Sequence, residues 1–213
     1  VGHVVLLGDS IFDNLRYVPG GPDVVNQLRA ALPRGWKATL LAVDGSVAAD
    51  VPRQLARLPA DATHLVASAG GNDALGCVGL VGDTAHTAAE GFAALAETQA
   101  EFERDYRELV RAVLAAGKPA VVCTVYDSVP DLPAAARAGL SAFNDVIVRE
   151  AARAGLPVLD LRPVCDRPAD YSGLSPIEPS RVGGAKIAEA VARVIAAHDF
   201  SRRETVIYGR APG

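Results

Sequence analysis

The sequence predicts a three-layer α/β/α domain built on a doubly wound sheet of five parallel strands. Two observations predict it. Five short runs rich in Val and Leu carry no polar alternation, as strands buried on both faces do. Between and after them lie stretches with helical spacing, and that alternation implies right-handed crossovers with helices on both faces of one sheet.

The predicted strands are His3–Leu7, Ala38–Val43, His64–Ser68, Ala120–Val125 and Pro157–Leu161. The predicted helices are Asp23–Leu32, Val47–Leu58, Ala88–Ala116, Pro133–Ala154 and Ser180–Ala197. Phe102, Tyr106 and Leu109 recur at helical spacing and read as core, and Trp36 beside Lys37 reads as a strand flank. Residues 1–198 form the expected domain, and 199–213, closing on Arg-Ala-Pro-Gly, read as a tail laid on it. In such a sheet ligands sit beyond the carboxyl ends of the strands, so chemistry is sought just after each apolar run.

The 213 residues, half of them hydrophobic, suffice for one sizeable core. A formal charge of -4, with Lys and Arg scattered, offers no field for a phosphate backbone, so nucleic acid is not an expected partner. No apolar run approaches the ~20 residues that cross a bilayer. Val1–Leu7 reads as a core strand rather than a signal segment, so a cytoplasmic protein is expected, although a chain without Met leaves room for a removed leader. Cys77, Cys123 and Cys165 are odd in number and widely spaced, which suits neither a disulfide framework nor a zinc site, and they read as thiols. Cys123, inside an apolar run, reads as core.

Three strand ends carry polar motifs. After the first comes Gly8-Asp9-Ser10-Ile11-Phe12-Asp13-Asn14, in which Gly8 permits a tight turn and Ser10 is, taken alone, as good a helix cap as a nucleophile. The second ends in Val43-Asp44-Gly45-Ser46, where a glycine lets the main chain approach a ligand. The third ends in Ser68-Ala69-Gly70-Gly71-Asn72-Asp73, where paired glycines read as a turn and Asn72 offers an amide donor. Together they bring a hydroxyl, an open backbone N–H and an amide donor to one edge of the sheet, the makings of a nucleophile with an oxyanion hole. A dinucleotide-binding reading lacks both Gly-x-Gly-x-x-Gly and a phosphate-cradling loop.

In order and spacing, Gly8-Asp9-Ser10, Gly45 and Gly70-Gly71-Asn72-Asp73 resemble the first three blocks of the SGNH/GDSL hydrolase family, and the resemblance spans residues 1 to about 190. It implies a flavodoxin-like fold, ester hydrolysis through a serine acyl-enzyme, and no metal or cofactor. Carried over, Ser10 is the nucleophile, and the Ser10 and Gly45 N–H groups with the Asn72 side chain are the oxyanion donors. The expected substrate is a small or medium ester.

The family's last block, Asp, two residues, then a catalytic His followed by Pro, is broken. Here Ser175-Pro176-Ile177-Glu178-Pro179-Ser180 puts Ser175 in the aspartate place and Glu178 in the histidine place. His3 and His64 begin their strands and so lie at the far edge of the sheet, at ~3.3 Å per residue. His198 ends the last helix, about 30 Å from its start at ~1.5 Å per residue. His86, in the segment after the Asn72 turn, is the alternative base. Glu178 is the expected base: an ordinary carboxylate is a poor acceptor for a serine proton, burial improves it, and the helix N-terminus that Ser180 caps opposes the improvement. Asp160, Asp166 and Asp170 are candidate neighbours. The competing reading is a catalytically degenerate small-molecule binding protein, with Glu178 in an ion pair with Arg181, Arg162 or Lys186.

Overall fold

The computed structural model describes residues 1–77 and 87–210. Six parallel strands, β1 (His3–Gly8), β2 (Lys37–Leu40), β3 (His64–Ser68), β4 (Ala120–Cys123), β5 (Val158–Leu159) and β6 (Ile207–Tyr208), form one sheet in the order β2-β1-β3-β4-β5-β6. The described helices of this domain are α1 (Val24–Ala31), α2 (Val51–Leu55), α3 (Gly71–Gly76), α4 (Ala88–Ala115), α5 (Ala134–Ala154) and α6 (Arg181–Ala197). None is long and apolar enough to cross a membrane.

The missing polar alternation follows from two cores. Val4 and Leu6 of β1 pack with Leu28 of α1 and Ile187 and Val191 of α6, while Val5 and Leu7 pack on the other face with Val51, Phe102, Leu109 and Ile147 of α2, α4 and α5. Successive residues of a strand point to opposite faces, so a strand covered on both sides needs apolar residues at every position. Each buried Leu or Val contributes ~1.5–3 kcal/mol of transfer free energy. Cys123 lies in this core, where burial pushes its thiol pKa up.

Three local expectations are corrected. The strand expected to reach Val43 ends at Leu40, because Leu41 and Ala42 both donate to the Leu6 carbonyl and the ladder steps out of register there. The Gly70-Gly71 turn continues into a six-residue helix, α3, so Asn72 stands on a first helical turn. The sheet has six strands rather than five: within the expected tail, Ile207 and Tyr208 pair with Val158 and Leu159, and the outer N–H groups of Val158 and Asp160 donate to Val206 and Tyr208. Two residues are too few to show a period in the sequence, but an open strand edge has backbone groups to satisfy.

Candidate active site

The chain leaves β1 through Gly8, at φ 118°, where an added Cβ would stand 1.7 Å from the Ser68 carbonyl oxygen. No other residue fits that approach. Asp9 donates its N–H to Ser68 (3.2 Å), then receives Phe12 and Asp13 N–H at its carbonyl (3.1 Å each) and Ile11 N–H at Oδ1 (3.1 Å). This tight wrap leaves the Ser10 N–H without an acceptor among the described residues.

Beside it, the loop after β2 carries Gly45 at φ 83°, whose N–H is likewise without an acceptor among the described residues. The loop is fixed from three sides. Gln54 of α2 accepts from Gly8 N–H (2.7 Å) and donates to the Gly8 carbonyl (2.8 Å) and Ser46 Oγ (3.3 Å). Asn72 Nδ2 donates to the Ser46 carbonyl (2.9 Å), which uses one of its two amide hydrogens. Asp73 accepts from Ala48 N–H (3.1 Å). The buried Gln54 therefore clamps the Ser10 loop to the Gly45 loop, a role no motif announces.

Glu178 closes a turn in which its N–H donates to the Ser175 carbonyl (3.1 Å), and its own carbonyl accepts from Ser172 N–H (2.8 Å). Two buried side chains hold the turn from the other strands: the Tyr126 hydroxyl donates to the Ile177 carbonyl (2.7 Å) and Asn14 Nδ2 to the Pro179 carbonyl (3.1 Å). Asn14 Oδ1 accepts Val24 N–H (2.9 Å), so one amide ties the Ser10 loop, α1 and the Glu178 turn together.

The Glu178 side chain is buried beside Ser10 on one cavity wall, and its Oε2 has no partner among the described residues. Burial pushes its pKa from 4.5 up to about 7, opposed by the nearby Ser10 hydroxyl and reinforced by the Asp44 charge. The helix N-terminus does not prevent the rise, because Ser180 Oγ already accepts from Val182 (3.0 Å) and Gly183 (3.2 Å). The ion pairs weighed for Glu178 are absent among the described residues: Arg162 is held by Asp160, Lys186 by Asp170, and Arg181 is exposed. Asp160 and Asp170 are thereby engaged elsewhere, and Asp166 faces Arg210 and Lys186.

Asp9 adds to the acidic character. Burial pushes it from 3.8 up to about 8, against the Ile11 hydrogen bond and with the charges of Glu178 and Asp73 adding to the rise. Asp73 is raised to about 6, again chiefly by burial. At neutral pH Asp9 holds its proton while Glu178 is poised between its two forms.

Asp9, Ser10, Asn72 and Glu178 all line one cavity of about 100 Å³, open to solvent on one side and otherwise walled by apolar side chains that include Leu75 of α3, Val129 after β4, Leu140 of α5 and Ile177. Gly45 is not on its wall. The three described histidines are all remote from it: His3 is hydrogen-bonded to Asp61 (2.8 Å) and Thr39 (2.8 Å), and His64 and His198 both pack on Phe200. His86 lies outside the described residues.

This doubly wound fold, with its cavity at the carboxyl edge of the sheet, is the frame of a carboxylic ester hydrolase. The chain belongs to the GDSL-like Lipase/Acylhydrolase family, whose sequence model matches residues 6–186. No curated protein matches it by sequence. Among solved structures it is similar to the lipase Lip_vut3 from a goat rumen metagenome, at 16% identity and TM-score 0.73, over 94% of this chain and 100% of that one. It is also similar to phospholipase A1 from Streptomyces albidoflavus NA297, at 17% identity and TM-score 0.62, over 93% and 99% of the two chains. A variant of Axe2, an acetyl-xylooligosaccharide esterase from Geobacillus Stearmophilus, matches at 18% identity and TM-score 0.65, over 95% and 98%. At such identities the likeness is one of fold.

Proposed function

We propose that the chain is a serine esterase in which Ser10 attacks the ester carbonyl and Glu178 replaces the usual imidazole as general base. The observation that carries this reading is a buried carboxyl, paired with no cation among the described residues, on the same wall of one cavity as the Ser10 hydroxyl. Burial brings the carboxyl to about 7, into the range where a base is both deprotonated and basic enough at neutral pH.

In the first half-reaction the Ser10 proton passes to Glu178 as Oγ bonds to the carbonyl carbon. The charge that develops on the carbonyl oxygen is taken up by the Ser10 and Gly45 N–H groups and the second amide hydrogen of Asn72. Collapse of this intermediate breaks the bond to the alcohol oxygen, which leaves with the proton from Glu178. Water then gives a proton to Glu178 and its oxygen to the acyl carbon. The released Ser10 recovers the proton, and the acid departs.

The test is covalent. A fluorophosphonate should label Ser10, located by mass spectrometry, and labelling should fall sharply in Glu178→Gln. A binding-only protein would leave Ser10 unlabelled. The acid limb of the rate profile is a poor discriminator, because a carboxyl raised to about 7 titrates where an imidazole does.

A further inference from the structure

The structural relatives are named for acetyl and phospholipid esters alike, so the fold leaves the acyl group open. We infer that the cavity beside Ser10 is an acyl site for linear, unsubstituted acids of about four to six carbons, and that Ala136 and Leu140 of α5 set that length. The inference rests on Ser10 being the nucleophile.

Three observations carry it. First, apart from Asp9, Ser10, Asn72 and Glu178, the wall is apolar. Ile11, Leu75, Val129, Leu132 and Leu140 line it, and its remaining hydroxyl, on Tyr126, is occupied by the Ile177 carbonyl. A hydroxyl, amine or charge further along the acyl chain, past these four residues, would enter without a partner, and burying an unpaired polar group is costly. Second, the cavity holds the acyl chain rather than the alcohol. The leaving oxygen must face Glu178, and of the polar groups around Glu178, Asp9 and Tyr126 line the cavity while Tyr17 and Asp44 stand off its wall, where a polar alcohol has partners. Tyr17 and Arg16 are both hydrogen-bonded to Asp44, which gives the alcohol a polar flank.

Third, the volume is small, about 100 Å³. An apolar cavity of ~150 Å³ takes the six carbons of benzene, so about four carbons fill the sheltered part of this one, and the carbons of a longer chain run out past Ala136 and Leu140 toward solvent, where each gains less. Ala136 is the smallest side chain that α5 presents to the cavity and Leu140 stands one turn further along, so both can be changed on a half-buried helix face.

The experiment is a series of p-nitrophenyl esters from acetate to dodecanoate. Seating a methylene is worth about fourfold, so kcat/KM should rise roughly 15-fold from acetate to butyrate, then level and fall beyond hexanoate. Ala136→Phe should abolish the butyrate preference over acetate, and Leu140→Ala should move the optimum toward octanoate. Acetate as the best substrate of the unmodified protein, or a profile that neither variant moves, would overturn the assignment. Ser10→Ala, assayed alongside, separates the two ideas. A chain-length optimum together with persistent turnover in Ser10→Ala would remove the nucleophile. A flat profile with a dead Ser10→Ala would remove the acyl site and leave the nucleophile standing.

Discussion

Glu178→Gln should make the protein less active and more stable at once, and the second effect should depend on pH. The carboxyl is pushed from 4.5 to about 7, which costs the ionised form ~3 kcal/mol at ~1.4 kcal/mol per pH unit. Solvent reaching the cavity screens this to about 2 kcal/mol. Between those two values the native state holds a proton that the unfolded chain has lost, so stability falls as pH rises. The contribution is complete below about 4.5 and gone above about 7. An amide of the same shape does not titrate. The variant should therefore gain about 2 kcal/mol more over the parent at pH 8 than at pH 4.5, or about 4–8 °C in Tm for a chain of this size. In the same samples kcat should fall by about 10²- to 10⁴-fold, as loss of a general base does. Thermal unfolding at the two pH values, with ester turnover, reads both. Near-normal turnover would refute the role of base, and an equal Tm change at both pH values would refute the buried charge.

Ser10→Ala should abolish esterase activity with the thermal transition intact, and a folded variant that keeps most of its turnover would exclude Ser10. Asn72→Ala should lower kcat by about 10²- to 10³-fold; a change in KM alone would make Asn72 a ground-state contact whose main service is the bond to Ser46. Asp9→Asn retains an acceptor for Ile11 and removes an acid raised from 3.8 to about 8, so its gain in Tm should grow from pH 4 to pH 9. A gain that is flat with pH would place the effect in packing.

The parts of the fold that were legible in the sequence are those with many equivalent residues. Val4 to Leu7 announce a strand covered on both faces, and the spacing of Phe102, Tyr106 and Leu109 a long helix, because burial repeats with the geometry of the element. A two-residue strand and a helix opened by two glycines repeat nothing, so β6 and α3 were not legible. Of the proposed site residues, local motifs pointed to Ser10, Gly45 and Asn72, and Ser10 and Asn72 line the cavity while Gly45 does not. The fate of Glu178 was not local: two opposing terms of similar size, burial and the helix end, were visible, and their outcome depended on Ser180 filling the helix end and on the apolar walls supplied by α3 and α5. Gln54 and Asn14 were missed for a related reason. Each acts through a buried amide whose partners are backbone groups, and backbone groups leave no mark in the residue types around them.

The amide of Asn14 also has a kinetic meaning. Its two ends reach residues 10 and 165 positions away along the chain, and it ties the second turn of main chain to one near the end. Contacts of such long separation close large loops, and they carry the entropy of everything between them. Ser10 meets Glu178 only after the intervening strands have taken their places. A chain released from denaturant should regain helix signal and compactness first and ester turnover last. On the proposed mechanism, ester turnover thus serves as a clock for the final folding step.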